Sequence, residues 1–343
     1  MALLLVGSPA LAQDSGEGAG DMPPMGESAT PVFTSAPIEF APDGPSEATP
    51  DGLVTRDSGR EILTSIDVAP PEGPHRTLLR VSVAPVPKDD VSVHDPWDRA
   101  GNVRLAVEGR PDIELVKFVT SYGGVTGHEV DVTHLSSLLR GRCEFRAFID
   151  TWVSPAWRLS LSIVTVPAEE WQLREAGSGS VVADRVVPVL YEQSATAERL
   201  GADGLSTTVE VPEGTGRVVL YYLVSGHCTD GRGEDEFVSK DNVISVDGVV
   251  VERFRPWRDD CRSLRELNPY TRRWSDGWWS SDYSRSGWCP GDVVHPVRLD
   301  LSDHLTPGEH TLSFNIENVR PRDENDHYGY WRLSAFLAMW GAK

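Results

Sequence analysis

Four polar clusters interrupt an otherwise apolar, strand-like chain of 343 residues, and each holds side chains that can do chemistry. The first is His94-Asp95-Pro96-Trp97-Asp98-Arg99-Ala100-Gly101-Asn102-Val103, a loop that delivers Asp98 and Arg99 into the start of a strand. A carboxylate beside a guanidinium is read either as a structural ion pair or as a catalytic pair, and spacing alone favours the former. The second is Phe148-Ile149-Asp150-Thr151-Trp152, where an acid breaks an apolar run. Asp150 then lies at a strand end in solvent, the plainer reading, or faces a cleft. The third runs from Ser225 to Phe237 and carries His227, Cys228 and Glu236 among glycines and acids. Its spacing does not match a twelve-residue calcium loop. The fourth runs from Pro256 to Gly291 and is dense in Trp, Arg and Asp, with Trp274, Trp278, Trp279, Arg285 and Trp288 between Cys261 and Cys289.

Long loops inside compact domains usually serve function, and a Cys261–Cys289 disulfide would close this one in an exported protein. Tryptophan faces pack on the C–H patches of a pyranose, while neighbouring charged groups bond its hydroxyls, so the loop reads as a sugar-recognition element. The plainer reading makes its tryptophans a satellite core. Four cysteines permit three full pairings, and the sequence leaves Cys143 and Cys228 as thiols or as a bond. No Cys-x-x-Cys or paired-His spacing exists, so no metal is expected.

The elements that must position these clusters are strands. β-branched or alternating runs recur at Thr77–Val83, Asn102–Val107, Leu115–Tyr122, His128–Val132, Cys143–Trp152 and Arg158–Val166, separated by turn residues. Thr133 to Arg140 predicts one short helical turn with Thr133 as N-cap. A polar stretch, 169–184, reads as an interdomain linker. Strand runs resume at Arg185–Leu190, Thr207–Val211, Arg217–Leu223, Val243–Val246, Val249–Phe254, His295–Leu301, His310–Ile316 and Trp331–Trp340. Many short strands in two blocks predict an all-β chain of two antiparallel jelly-roll sandwiches packed side by side, over 56–168 and 185–343.

Residues 1–12 end in Ala10-Leu11-Ala12 after a short apolar run, which reads as a truncated signal peptide. Residues 13–55 hold seven prolines, eight acids and no Lys or Arg, and are expected to be a disordered tail. That tail carries eight of the charges behind a net charge of -20, set by 52 acidic against 32 basic residues. The acidity excludes the basic stripe needed for nucleic acid or an anionic membrane, and no apolar run is long enough to span a bilayer.

In this order and with these gaps the clusters resemble the peptide-N-glycosidase F family, from about Val81 to Trp340. The anchors are Asp95 to Arg99 with Asn102-Val103, Asp150-Thr151-Trp152, Ser225-Gly226-His227, Gly233 to Phe237, Asn268-Pro269 and Gly287-Trp288-Cys289-Pro290-Gly291. The resemblance implies a secreted or periplasmic amidase, monomeric and without cofactor. It would cleave the amide joining an N-linked glycan to asparagine in glycoproteins or glycopeptides. It implies Asp98 as the primary catalytic carboxylate, with Glu236 binding the first sugar and a water. Asp150 stands where the family has glutamate. Arg99 and Arg285 match arginines near the carboxylates, and Trp152, His227 and Trp288 match the sugar pocket or its rim. Only the Cys261–Cys289 bond carries over, since no Cys flanks Trp97 or Glu236. A non-catalytic N-glycan-binding protein on the same scaffold is the alternative. A copper monooxygenase would need clustered His and Met ligands that are missing, and a glycosidase would cleave a sugar–sugar bond instead.

Overall fold

The computed structural model describes residues 26–42, 44, 52–175, 179–230 and 234–342. The expected signal peptide and much of the acidic tail lie outside them. The described chain is all-β and folds into two antiparallel jelly-roll sandwiches. In the first, one sheet runs in the order Ser28–Ile38, Trp157–Pro167, His75–Pro85, Thr126–Asp131. It faces a sheet ordered Val293–Val294, Ile113–Val119, Ala100–Leu105, Gly141–Ile149, Glu61–Val68, Val54–Arg56. The second sandwich pairs Arg185–Thr196, Gly329–Gly341, Thr215–Cys228, Val297–Asp300 with Leu205–Val211, Gly308–Ile316, Asn242–Val246, Val249–Phe254. Each inner face buries alternate apolar side chains, the strand period that the sequence displays.

Part of the expected disordered tail is a strand. Ser28–Ile38 pairs antiparallel with Trp157–Pro167 and buries Phe33, Ala36 and Ile38. Its Pro31 and Pro37 are tolerated because it is an edge strand, where a missing N–H costs no ladder bond on the open side. Pro31, Pro37 and the exposed Ser and Thr residues, with Glu27 and Glu39 at the flanks, masked the buried alternation. The strand Glu61–Val68, also not read from the sequence, lies against Gly141–Ile149. The expected helical turn is a 3-10 turn at Thr133–Leu135, and Thr133 is inside it rather than capping it. Its hydroxyl donates to Asp131 Oδ1 instead. The linker stretch also has form: a 3-10 turn at Glu170–Leu173, then a two-strand hairpin of Arg174–Glu175 with Gly179–Ser180.

The sandwiches share an interface that is apolar at one end and ionic at the other. Tyr221, Phe336, Ala338 and Trp340 of the second pack onto the first core. Ile113–Val119 is buried along its whole length because both of its faces are covered. Its Lys117 Nζ donates to the Arg332 carbonyl at 2.8 Å and pairs with Glu114 at 3.3 Å. Glu114 in turn accepts the Ser334 hydroxyl. Burial holds the Lys117 ammonium below its ordinary pKa, and the Glu114 carboxylate opposes that shift.

If Ser28–Ile38 is an integral strand, Phe33→Ala opens a cavity in the first core. It should then destabilise the protein by about 3 kcal/mol, read as an earlier chemical denaturation midpoint. An unchanged midpoint would show that this segment contributes nothing to the sandwich.

Candidate active site

A cavity of about 970 Å³ opens where the two sandwiches meet, and Asp98, Asp150 and Glu236 all line it. Each arrives on a loop held by other buried groups. In the first sandwich the anchor is Asp95, which is fully buried. Its carboxylate accepts from Arg99 Nε at 3.0 Å, Thr151 Oγ1 at 2.6 Å and the Trp157 indole at 3.1 Å. Those bonds pin the His94–Arg99 loop to the core and leave Asp98 directed into the cavity. Arg99 is therefore spent on Asp95 and forms no close pair with Asp98.

The second sandwich repeats the device. Asp235, in the turn Glu234–Phe237, is fully buried. It accepts the Trp331 indole and the Arg320 backbone N–H, each at 2.9 Å. Glu236, the next residue, thereby faces the cavity. The strand behind is glycine at 329 for a steric reason: a Cβ there would lie 1.8 Å from Asp235 Oδ2.

The disulfide-closed loop joins the two halves. Cys261 and Cys289 are bonded, with Cα atoms 5.1 Å apart. Asn268 Oδ1 accepts the Tyr122 N–H at 2.9 Å, and Val293–Val294 extends the sheet of the first sandwich. Gly124 admits this approach, since a Cβ there would stand 2.2 Å from the Leu267 carbonyl. Docking carries Arg285 to the centre, with no exposed surface. Its Nε donates to Glu236 Oε1 at 3.1 Å and its Nη2 stands 3.6 Å from Asp98 Oδ2. Further bonds run to the Ser280 and Tyr283 carbonyls at 2.7 and 3.0 Å. One guanidinium thus bridges carboxylates from different sandwiches.

Burial raises the pKa of both acids. Glu236 is pushed up to about 7, with Arg285 opposing the shift and the Asp98 charge adding to it. Asp98 is raised as well, against the pull of Arg285, the Tyr122 hydroxyl and Arg99. Asp150 sits apart from this pair. It is bound to Arg332 Nη2 at 2.5 Å and Arg60 Nη1 at 3.3 Å, so it ties the sandwiches together as an ion bridge. Arg60 lies 4.3 Å from the centre of the Trp152 ring and fixes the indole that is exposed at the cavity mouth.

His227 and Trp288 line the same cavity but are buried wall rather than free rim. His227 stacks between Trp288 and Tyr330 at ring distances of 5.2 and 5.4 Å. Burial first, then Arg332, Lys117 and Arg285, hold its pKa well below the ordinary value, so the imidazole is neutral. Of the loop tryptophans, Trp274 and Trp288 line the cavity, whereas Trp278 and Trp279 do not. Cys143 and Cys228 are not joined: Cys143 is buried in the first core, and the Cys228 thiol donates to Glu236 Oε2 at 3.5 Å. No group of three His, Cys, Asp or Glu suited to a metal ion occurs among the described residues.

Sequence reasoning missed Arg60, Tyr122 and Arg332. Arg332 had a signal, a lone cation inside the most apolar strand, Gly329–Gly341, of the same kind that singled out Asp150. Arg60 and Tyr122 had none, because a turn arginine and a strand-end tyrosine are ordinary.

The chain is similar to known proteins. Residues 197–338 match the family described as Peptide-N-glycosidase F, C terminal. Peptide-N(4)-(N-acetyl-beta-D-glucosaminyl)asparagine amidase F of Elizabethkingia miricola is 24% identical over 261 residues, covering 71% of this chain and 69% of that protein. The structure of PNGF-II superposes with a TM-score of 0.80 at 24% identity, covering 92% of this chain. The chain spans only 65% of PNGF-II. PNGase F, a glycosylasparaginase from Flavobacterium meningosepticum, superposes with a TM-score of 0.69 at 19% identity, covering 92% of this chain and 96% of its own.

The raised Glu236 pKa has a stability consequence. The folded value, about 7, exceeds the unfolded 4.5, so the fold disfavours the ionised form. The group thus costs stability as pH rises from the unfolded to the folded value. Glu236→Gln removes that cost. Relative to wild type, its denaturation free energy should improve between pH 5 and pH 8, by up to about 3 kcal/mol. A stability difference constant over that range would show that Glu236 does not titrate there.

Proposed function

We propose, on the premise that the chain belongs to the peptide-N-glycosidase F family, that it is a peptide-N-glycosidase. It hydrolyses the side-chain amide between an N-linked glycan and asparagine in glycoproteins or glycopeptides. The observation that carries this reading is Arg285, buried and shared between Asp98 and Glu236 on one interdomain cavity. The cavity volume, about 970 Å³, is at the upper end of the usual range for small-molecule sites and leaves room for sugar and peptide together. A disulfide in the loop that builds the site suits a secreted or periplasmic protein.

In this reading Asp98, ionised, takes a proton from water as the water oxygen bonds to the amide carbon. A carboxyl whose pKa is raised by burial is a stronger base than one in solvent. The C–N bond then breaks, and the proton passes from Asp98 to the departing nitrogen. The products are aspartate in the peptide and a glycosylamine. Glu236, also ionised, accepts hydrogen bonds from the first sugar or the attacking water. Arg285 keeps both carboxylates in place, and its positive charge opposes the negative charge that develops on the amide oxygen. Trp152 offers an exposed face to a pyranose, steadied by Arg60 beneath it. Arg99 acts through Asp95 as a positioning residue. Asp150, shorter than the family's glutamate, holds Arg60 and Arg332 around the sugar end of the cavity.

A denatured N-glycoprotein treated with the protein should show asparagine converted to aspartate at glycosylated sites by mass spectrometry. Asp98→Asn should lower that rate at least about a hundredfold in a folded variant. A folded, fully active Asp98→Asn, or glycan binding with no conversion, would end the assignment. Since both acids must be ionised, kcat/KM should rise with pH through about 7. In Glu236→Gln the remaining limb should move to lower pH, because the Glu236 charge no longer opposes Asp98 ionisation. A rate flat across that range would remove the two acids from the rate-determining protonation.

A further inference from the structure

One part of the cavity lining carries charge that is not balanced. The loop between Cys261 and Cys289 holds five arginines against three acids, in a chain whose net charge is -20. Arg265 is paired with Asp282 and Arg285 with the two site acids. Arg272 and Arg273 are exposed and line the cavity, and among the described residues neither has a carboxylate partner. Their guanidiniums lie over aromatic faces instead, Arg272 at 5.5 Å from the Trp97 ring centre and Arg273 at 4.9 Å from that of Trp279. Arg60 and Arg332, at the Trp152 side, each have Asp150.

Resting on the amidase reading, we propose that Arg272 and Arg273 form a subsite for carboxylates of the substrate peptide, selecting asparagines flanked by acidic residues. Position decides between peptide and glycan. Trp97 is the chain neighbour of Asp98, so a cation over its ring lies on the order of 10–15 Å from the scissile amide. Three or four extended peptide residues cover that span, at roughly 3.3–3.6 Å each. The two N-acetylglucosamines next to asparagine carry no charge, and the acidic sugars of an N-glycan sit several units further out. An arginine already fixed over an aromatic ring also loses less freedom when it accepts a carboxylate.

The test is a set of synthetic glycopeptides with one neutral glycan, amidated ends, and either Glu or Gln on both sides of the glycosylated asparagine. Wild-type protein should show a KM roughly fivefold lower for the Glu peptide at low salt, as expected for two exposed ion pairs. That preference should shrink as salt is added. Arg272→Gln/Arg273→Gln should cleave the Glu and Gln peptides with equal KM. Further arms add a free C-terminal carboxylate or a sialylated glycan. Cleavage of both peptides with equal KM by wild type, or a preference that survives in the double variant, overturns the inference and leaves the amidase reading standing. So does a preference that follows sialic acid alone. Failure to cleave any of the glycopeptides removes both.

Discussion

The structure depends on a guanidinium with no exposed surface lying between two carboxylates. Arg285 is removed from water and stays charged, a state that costs several kcal/mol unless acceptors surround it. Glu236, two carbonyls, the Tyr122 hydroxyl and nearby Asp98 surround it. None of the three pieces that supply this set can do so alone. Asp98 and Tyr122 come from the first sandwich, Glu236 from the second, and Arg285 from the disulfide-closed loop. The site therefore exists only when both sandwiches and the loop are assembled, and the same ionic contact that tunes the acids also joins the domains.

The two halves solve the positioning problem alike. Each loop that presents an acid is preceded by a buried aspartate that accepts the indole N–H of a core tryptophan: Asp95 with Trp157, Asp235 with Trp331. A buried indole needs an acceptor, and a buried carboxylate needs donors, so the pair satisfies both while marking one loop conformation as the only comfortable one. Asp98 and Glu236 then project from backbone that is fixed by the core rather than by the cavity. The acids stay desolvated, with raised pKa values, while the core fixes the backbone that bears them and Arg285 holds their carboxylates.

How much of this was legible in the sequence follows from what each residue contributes. Strand alternation and the Trp-rich, Cys-bracketed loop are local patterns, and they gave the fold class and the loop that carries Arg285. Ser28–Ile38 escaped because its prolines, its exposed Ser and Thr and the acids flanking it outweigh a buried face of only Phe33, Ala36 and Ile38, and edge position is not written in the strand itself. Arg332 and Asp150 are the same sequence anomaly, a charge in an apolar run, though Asp150 lies just past the end of Gly141–Ile149, and their pairing across the domain boundary is a tertiary fact. Asp95 and Asp235 looked like companions of the more conspicuous acids, and only burial and the indole bonds distinguish the anchor from the cavity-facing acid.

The Asp150 position shows why a shorter acid need not empty that part of the site. The resemblance sets a glutamate there, one methylene longer. In this chain both Asp150 oxygens are occupied by arginines that reach toward it, Arg60 from the first sandwich and Arg332 from the second. An arginine side chain has the length and rotamer freedom to cross a gap of one methylene, whereas the planar fork keeps its bond directional once there. The position's work is to neutralise two cations at the seam and to hold Arg60 against Trp152. That work is set by charge and by the arginines' reach more than by the carboxylate's own length. The acids whose length does matter are Asp98 and Glu236, since each must meet one rigid, fully bonded guanidinium that cannot move to compensate.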